Sequence, residues 1–114
     1  MLLKYKTEDG KQKSIRLKTI SHAKPITIGR AEEASIVLKD KECSPVHTAI
    51  RYWDDIFVIR DLNSQNGTVL NGEKIEVAKL SPGDVIEVGN TELMVVQEEG
   101  SGNDVTVVAR APEL

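Results

Sequence analysis

The chain has 114 residues, a formal net charge of −3 and a single cysteine, and each of these values limits its function. The length fits one domain with its own hydrophobic core, and the apolar share of 39% and the charged share of 29% are typical of a folded globular protein. The negative charge without dense lysine or arginine runs disfavours a nucleic-acid partner, and one cysteine excludes an internal disulfide framework.

The sequence gives no sign of a membrane span, a secretory signal or a metal site. No apolar run approaches the length that crosses a bilayer, and the first five residues are not arranged like a signal peptide. His22, Cys43 and His47 lie too far apart in sequence to form a zinc pattern. We therefore expect a cytoplasmic domain, or the soluble module of something larger, that needs no metal or cofactor. A monomer is favoured.

Short β-rich runs separated by turn residues follow one another along the chain, and no window shows sustained helical periodicity. In chain order the predicted strands cover residues 2–7, 13–17, 25–29, 35–38, 47–53, 56–61, 68–70, 73–77, 85–88, 91–96 and 105–109. Residues 31–34 are predicted to be a connector. The pattern predicts an all-β fold, an antiparallel β-sandwich of about ten to eleven strands.

Turn-forming dipeptides between these runs predict hairpins. They are Asp9-Gly10, Asp54-Asp55, Asn71-Gly72 and Gly89-Asn90. Asn-Gly is the strongest two-residue hairpin signal, since both residues tolerate the positive φ that such turns require. We therefore expect consecutive strands to pair with each other at these four places.

Three loops within residues 26–70 place donor-rich side chains next to turn residues. Gly29 precedes Arg30 at the end of one strand, Ser44 lies in the next loop, and Asn66 precedes Gly67 in the third. A phosphate group is bound by cationic fork donors, hydroxyl groups and backbone N–H groups in tight turns. These loops are therefore predicted to converge on one anionic ligand.

Four motifs stand in a fixed order between residues 25 and 96. They are Gly29-Arg30, Ser44-x-x-His47, Asp61-Leu62-x-Ser64-x-Asn66-Gly67-Thr68-x-x-Asn71-Gly72, and Leu80-x-x-Gly83-Asp84-x-Ile86. In this order they resemble the forkhead-associated (FHA) domain. The resemblance implies a single FHA-like domain over residues 1–114, with an eleven-stranded sandwich of the FHA/SMAD type. Residues 98–114 are then expected to be a polar linker, a last strand and a frayed end.

The resemblance also implies a function, the binding of phosphothreonine-containing proteins or peptides through loops at one end of the sandwich. Arg30 would pair with the phosphate, and Ser44 would form a hydrogen bond with it. Asn66 would hold the peptide main chain, and Gln65 would contribute its backbone N–H from the same loop. The partner would be a phosphorylated protein in signalling or assembly.

Other residues of the motifs are expected to support the loops. By the resemblance, Gly29 and His47 are structural, with the histidine packed beneath the loops, and Gly67 belongs to the turn that presents Asn66. Cys43 is expected to be a passive loop or core residue, and the alternative is a thiolate stabilised by Arg30.

The sequence departs from the family pattern at the site. Pro45 follows the serine where the family often has Arg, Lys or Asn, and Gln65 stands where Ser or Thr is common. These departures leave a second function open, a phospho-independent structural or assembly module on the same fold. Glu42 lies beside the predicted phosphate loop, so we expect acidic residues in a bound peptide to be poorly tolerated.

An enzyme is the third possibility, because Ser44, His47 and either Asp40 or Asp61 have the residue types of a hydrolase triad. No nucleophile elbow surrounds Ser44, and a serine and a histidine three residues apart in one loop rarely align as nucleophile and base. We therefore expect no catalytic residues.

Overall fold

The computed structural model describes residues 1–7, 9–17 and 24–97, and within them the chain forms eleven strands. In chain order they are β1 Leu2–Lys6, β2 Gln12–Arg16, β3 Ile26–Gly29, β4 Ile36–Val37, β5 Thr48–Trp53, β6 Ile56–Asp61, β7 Thr68–Leu70, β8 Glu73–Ile75, β9 Val77–Leu80, β10 Val85–Val88 and β11 Thr91–Val96. The predicted all-β fold is confirmed. The strand predicted over residues 105–109 lies outside the described residues.

The strands form two sheets, of six and five strands. The order is β2-β1-β11-β10-β7-β8 in the first sheet and β4-β3-β5-β6-β9 in the second. All pairs are antiparallel except β3 and β4. Because the chain changes sheet after β2, β6, β8 and β9, both sheets contain strands that are distant in sequence.

The core lies between the two sheets and follows the period-two alternation of side chains along each strand. On β5 and β6 the inward residues include Ile50 and Ile59, which are paired in register and fully buried. Ile86 and Leu93 occupy the equivalent paired positions on β10 and β11. Burial of each such side chain contributes about 1.5–3 kcal/mol, and these residues therefore hold the two sheets together.

A hydrogen bond between two buried hydroxyls crosses this core. The hydroxyls of Thr48 on β5 and Thr68 on β7 are both buried and lie 2.8 Å apart, which joins the two sheets beneath one end of the sandwich. A buried hydroxyl needs a hydrogen-bond partner. Because the Thr68 hydroxyl donates its hydrogen to Asp61 at 2.7 Å, Thr48 is the donor in this pair and Thr68 the acceptor.

All four predicted hairpins are present, because β1–β2, β5–β6, β7–β8 and β10–β11 pair antiparallel. Two of their turns have positive φ at both central residues. Asn71 and Gly72, between β7 and β8, have φ values of 51° and 89°. Asp54 and Asp55, between β5 and β6, have φ values of 51° and 67°. Positive φ at both central positions matches the right-handed twist of the flanking strands, which explains why the Asn-Gly signal predicted its hairpin correctly.

The strand predicted over residues 73–77 is wrong in one respect, because it is divided between the two sheets. β8 ends at Ile75 and pairs with β7, while β9 begins at Val77 and pairs with β6. Glu76 forms the junction, and its carbonyl accepts a hydrogen bond from the Asp61 N–H at 2.9 Å. A change of sheet keeps the chain extended, so the side-chain pattern alone did not reveal it.

The connector at residues 31–34 is a single turn, closed by a hydrogen bond of 3.1 Å from the Ala34 N–H to the Ala31 carbonyl. Among the described residues, no helix is long and apolar enough to span a membrane.

Candidate functional site

The loops that follow β3 and β4 are joined by backbone hydrogen bonds at one end of the sandwich. The N–H of Arg30 donates to the carbonyl of Ser44 at 3.0 Å, and the N–H of Ala31 donates to the carbonyl of Pro45 at 3.1 Å. Backbone groups paired in this way fix the two loops relative to each other. Arg30 and Ser44 are therefore held side by side.

Gly29 makes this close approach possible. A Cβ atom at this position would lie 2.1 Å from the carbonyl oxygen of Pro45, which is a backbone atom with little freedom to move. Every residue larger than glycine would force the loops apart. Gly29 is therefore required by the backbone of the neighbouring loop.

His47 connects the second loop to the third, which lies between β6 and β7. The imidazole is fully buried, and its Nδ1 accepts a hydrogen bond of 3.0 Å from the backbone N–H of Ser44. Because Nδ1 is an acceptor, the neutral ring carries its proton on Nε2, which donates to the carbonyl of Gly67 at 2.8 Å. The ring thus lies beneath the loops and links Ser44 to the Asn66-Gly67 turn.

The third loop is closed by the carboxylate of Asp61. Its oxygens accept hydrogen bonds from the Ser64 hydroxyl at 2.5 Å, the Ser64 N–H at 3.2 Å and the Thr68 hydroxyl at 2.7 Å. The Ser64 hydroxyl oxygen in turn accepts the Gly67 N–H at 2.9 Å. Partial burial raises the pKa of Asp61, but the hydrogen bonds from Ser64 and Thr68 outweigh it and hold the pKa below its usual value.

Of the four residues predicted to bind the ligand, Ser44 lies in the short segment 42–44 and the other three form hydrogen bonds with that segment. Arg30 donates from Nε to the carbonyl of Cys43 at 3.1 Å, and the N–H of Gln65 donates to Ser44 Oγ at 3.0 Å. Asn66 donates from Nδ2 to the carbonyl of Glu42 at 2.9 Å. Three loops therefore meet at one place, as the sequence predicted.

Several polar groups at this place are turned to solvent. Arg30, Gln65 and Asn66 are exposed, and Ser44 is partly exposed. With its Nε bonded to the loop, Arg30 keeps two terminal Nη groups for a ligand. Ser44 Oγ accepts from Gln65 and keeps its hydroxyl hydrogen, and Asn66 keeps Oδ1 as an acceptor. The guanidinium and the hydroxyl can donate hydrogen bonds to a phosphate, and the amide oxygen can accept one from a peptide main chain.

Asp40 also supports the site, although the sequence suggested it only as a possible triad member. Its Oδ1 accepts the Glu42 N–H at 2.9 Å, while its Oδ2 accepts the Asn90 N–H and the Thr91 hydroxyl, both at 2.7 Å. Burial raises the pKa of Asp40, but the hydrogen bonds that its carboxylate accepts have the larger effect. The pKa of Asp40 is therefore held below its usual value. An aspartate two residues before a loop N–H is a recognisable Asx turn, whereas the contact fifty residues away has no local signal.

The geometry does not support a hydrolase triad. Nδ1 of His47 accepts a backbone N–H and Nε2 donates to a backbone carbonyl, so neither nitrogen is placed to take the proton of Ser44 Oγ. The carboxylate of Asp61 accepts hydrogen bonds from the hydroxyls of Ser64 and Thr68. Among the described residues, no group of three or more His, Cys, Asp or Glu side chains is placed to hold a metal ion.

Cys43 is a buried thiol. Burial raises its pKa to about 11, the charge of Asp40 adds to the rise, and the nearby Arg30 opposes it without reversing it. Cys43 belongs to the hydrophobic core, as expected, and its raised pKa argues against the thiolate alternative.

A lysine-rich groove lies beside the site, between the β1–β2 hairpin, the β10–β11 turn and the segment that follows β4. Six lysines line it: Lys4, Lys6, Lys11, Lys13, Lys39 and Lys41. Asp9, Asp40, Glu87 and Glu92 line it as well, so the charge of the groove is mixed. Its lysines come from separate parts of the chain, and the sequence therefore gave no sign of their proximity.

Comparison with known proteins agrees with the fold. The family model for the FHA domain matches residues 26–89. FhaA of Mycobacterium tuberculosis, named as an FHA domain-containing protein, is 34% identical over 88 residues, which are 77% of this chain but 16% of FhaA. The chain therefore spans only a small part of this relative.

Two solved structures have the same fold over most of the chain. The FHA domain of the CT664 protein from Chlamydia trachomatis has a TM-score of 0.76 and 30% identity, covering 85% of this chain and 96% of that domain. A domain solved in a structural and functional analysis of phosphothreonine-dependent FHA domain interactions has a TM-score of 0.70 and 30% identity, covering 85% of this chain and 95% of that one. With the family model matching more than half of its length, this chain belongs to the FHA domain family.

Proposed function

We propose that this chain binds phosphothreonine-containing protein segments at the loop end of the sandwich. The observation that supports the proposal most directly is the meeting of Arg30, Ser44 and Asn66 at segment 42–44. The structural similarity to a domain studied for phosphothreonine-dependent interactions supports the same ligand.

Each residue has a role that follows from its remaining polar atoms. The Nη groups of Arg30 pair with the phosphate, whose charge at neutral pH is about −1.5 to −2. The Ser44 hydroxyl donates to a second phosphate oxygen, and Gln65 orients that hydroxyl through its backbone N–H. Oδ1 of Asn66 accepts a main-chain N–H of the peptide, while its Nδ2 remains bonded to Glu42.

Pro45 and Glu42 limit which ligands this site can bind. Pro45 has no N–H, and its carbonyl is occupied by Ala31, so the loop offers the phosphate little beyond Ser44. The carboxylate of Glu42 lies 3.5 Å from Nδ2 of Asn66, next to the proposed path of the peptide main chain. Glu42 should therefore disfavour peptides with acidic residues near the phosphothreonine.

The domain would act as a binding module without chemistry of its own. It would bind its partner in the cytoplasm, where the free Cys43 would stay reduced. Residues 1–114 are proposed to hold one such module, with its motif region between residues 25 and 96.

Arg30→Ala tests the proposal. An oriented peptide library with matched phosphothreonine, phosphoserine and unphosphorylated members first selects a ligand, and calorimetry then measures the affinity of each variant. Two charge-assisted hydrogen bonds contribute about 3 kcal/mol or more, so Arg30→Ala should weaken binding at least ~100-fold. Arg16→Ala, which removes another exposed arginine at the end of β2 and outside the three loops, is the matched control and should bind normally.

Two results would contradict the proposal. Unchanged affinity in Arg30→Ala would remove the proposed role of this residue. If the wild-type protein bound none of the phosphorylated peptides, the phospho-independent assembly module would become the better reading of the fold.

A further inference from the structure

One outer surface of the sandwich has a composition that neither the core nor the loop site explains. Inward residues of β5, β6 and β9, such as Ile50, Ile59 and Leu80, are buried, so the alternate positions face outward. We call these outward positions the β5–β6–β9 face: Ala49, Arg51, Trp53, Ile56, Val58, Arg60, Val77 and Lys79.

The apolar members of this face are large and accessible. Trp53 is 47% exposed, Val77 48% and Ile56 37%. Trp53 and Ile56 are paired across the hairpin, at one end of the face, and Val77 is paired with Arg60 at the other end. Exposed apolar groups that cluster on one surface are typical of sites that contact other molecules.

The charged members of the β5–β6–β9 face all have the same sign. Arg51, Arg60 and Lys79 are cationic, and none of the eight positions is acidic, although the whole chain has a net charge of −3. The two cations nearest the middle, Arg51 and Lys79, lie on either side of Val58 in the same register row. Among the described residues, these three cations form no ion pair.

The outward surface of the other sheet differs from this face. Glu87 and Glu92 are paired there, beside Lys4 and Lys6 of the neighbouring strand, so charges of both signs are mixed. The uniform positive charge is thus a property of one surface and not of the whole sandwich.

From this arrangement we propose that the β5–β6–β9 face binds an acidic segment of a partner protein whose carboxylates alternate with apolar side chains. The carboxylates pair with Arg51, Arg60 and Lys79, and the apolar side chains pack on Trp53, Ile56 and Val77. Tryptophan and arginine are the residues that most often dominate protein interfaces, and charge complementarity selects the acidic partner. The surface is a side of the sandwich, separate from the loops that hold Arg30.

A titration of the full chain with two synthetic peptides tests this inference. One peptide alternates glutamate with leucine, and the other has lysine in place of each glutamate. Amide shifts in a ¹H–¹⁵N spectrum should be confined to β5, β6 and β9 with the acidic peptide and absent with the basic one. Arg60→Glu combined with Lys79→Glu should weaken binding at least ten-fold.

Two controls and one further variant keep the test specific. Arg30→Ala should bind the acidic peptide normally, so the result does not depend on the proposed phosphothreonine site. Lys4→Glu with Lys6→Glu reverses two charges on the opposite surface and should change the affinity less than two-fold. The single variant Lys79→Glu, at an exposed position, should show a smaller loss in the same direction even if the double variant folds poorly.

Any of four results would overturn the inference. The first is no shift with the acidic peptide, and the second is shifts at the loops that hold Arg30. The third is binding through this face to phosphatidylglycerol vesicles without binding to the peptide. The fourth is concentration-dependent self-association that buries Trp53, which would identify a second copy of the chain as the occupant.

Discussion

Gly29→Ala should separate the loops that form the site. The added Cβ would lie 2.1 Å from the carbonyl oxygen of Pro45 and 2.8 Å from its carbonyl carbon. A normal contact is about 3.5 Å, so Pro45 would have to move by more than about 1 Å. That displacement stretches the hydrogen bonds from Arg30 to Ser44 and from Ala31 to Pro45 beyond bonding distance.

The expected cost follows from these two effects. Overpacking of this kind costs about 1–3 kcal/mol, and each lost hydrogen bond adds about 1 kcal/mol. The sum, about 3–5 kcal/mol, is a large part of the stability of a small domain. Since 1 kcal/mol shifts the Tm of a domain of this size by about 4–8 °C, the Tm should fall by at least about 12 °C.

Thermal and urea unfolding followed by circular dichroism would measure this loss. Gly72→Ala is the matched control, because Gly72 has a φ of 89° and nothing within 4 Å of an added Cβ. That variant should lose only about 1–2 kcal/mol, the usual cost of a left-handed backbone conformation for alanine. If Gly29→Ala were no less stable than Gly72→Ala, the close approach of Pro45 would not be the reason for the glycine.

Three further predictions concern buried or hydrogen-bonded groups. Because the pKa of Asp61 is lowered in the folded state, its contribution to stability is present above about pH 4 and lost as the pH falls through the folded pKa. In Asp61→Asn, the free energy of unfolding should therefore depend less on pH in the acid range. Parallel pH profiles of the variant and the wild-type protein would contradict this. The pKa of Cys43 is raised from an ordinary 9.0 to about 11, so the folded protein has about 100-fold less thiolate at pH 8. Iodoacetamide should therefore react with Cys43 at least ~100-fold faster in the urea-unfolded protein than in the folded protein. Equal rates would refute the burial of the thiol. His47→Ala should lower the free energy of unfolding, measured in urea, by about 2–5 kcal/mol. The reason is that the Ser44 N–H and the Gly67 carbonyl lose their hydrogen-bond partner. A loss below about 1 kcal/mol would show that water replaces the ring.

Local patterns in the sequence predicted the strands well, and long-range connections poorly. Asn71-Gly72 predicted its hairpin because positive φ at both residues is a local requirement of the turn. The division of residues 73–77 between the sheets was missed because an extended chain keeps the same alternation in either sheet. Partners that are distant in sequence have no local signal.

The site shows the same contrast. Arg30, Ser44 and Asn66 could be named because a donor beside a turn residue is visible in the sequence, and their order resembles a known family. The contacts of Asp40 with the β10–β11 turn join residues about fifty positions apart and were not foreseen. The same holds for the β5–β6–β9 face, since its residues come together only through the register of three strands.

The repeated change of sheet along the chain has a consequence for how the domain folds. Neither sheet is one continuous stretch of sequence, because β9 completes the second sheet only after β7 and β8 have joined the first. Neither sheet can therefore fold before the other, and partial unfolding of one would remove strands that the other needs. The domain should unfold in a single cooperative transition and, with so many pairings between distant strands, fold on the slow timescale of β-sandwiches, milliseconds to seconds.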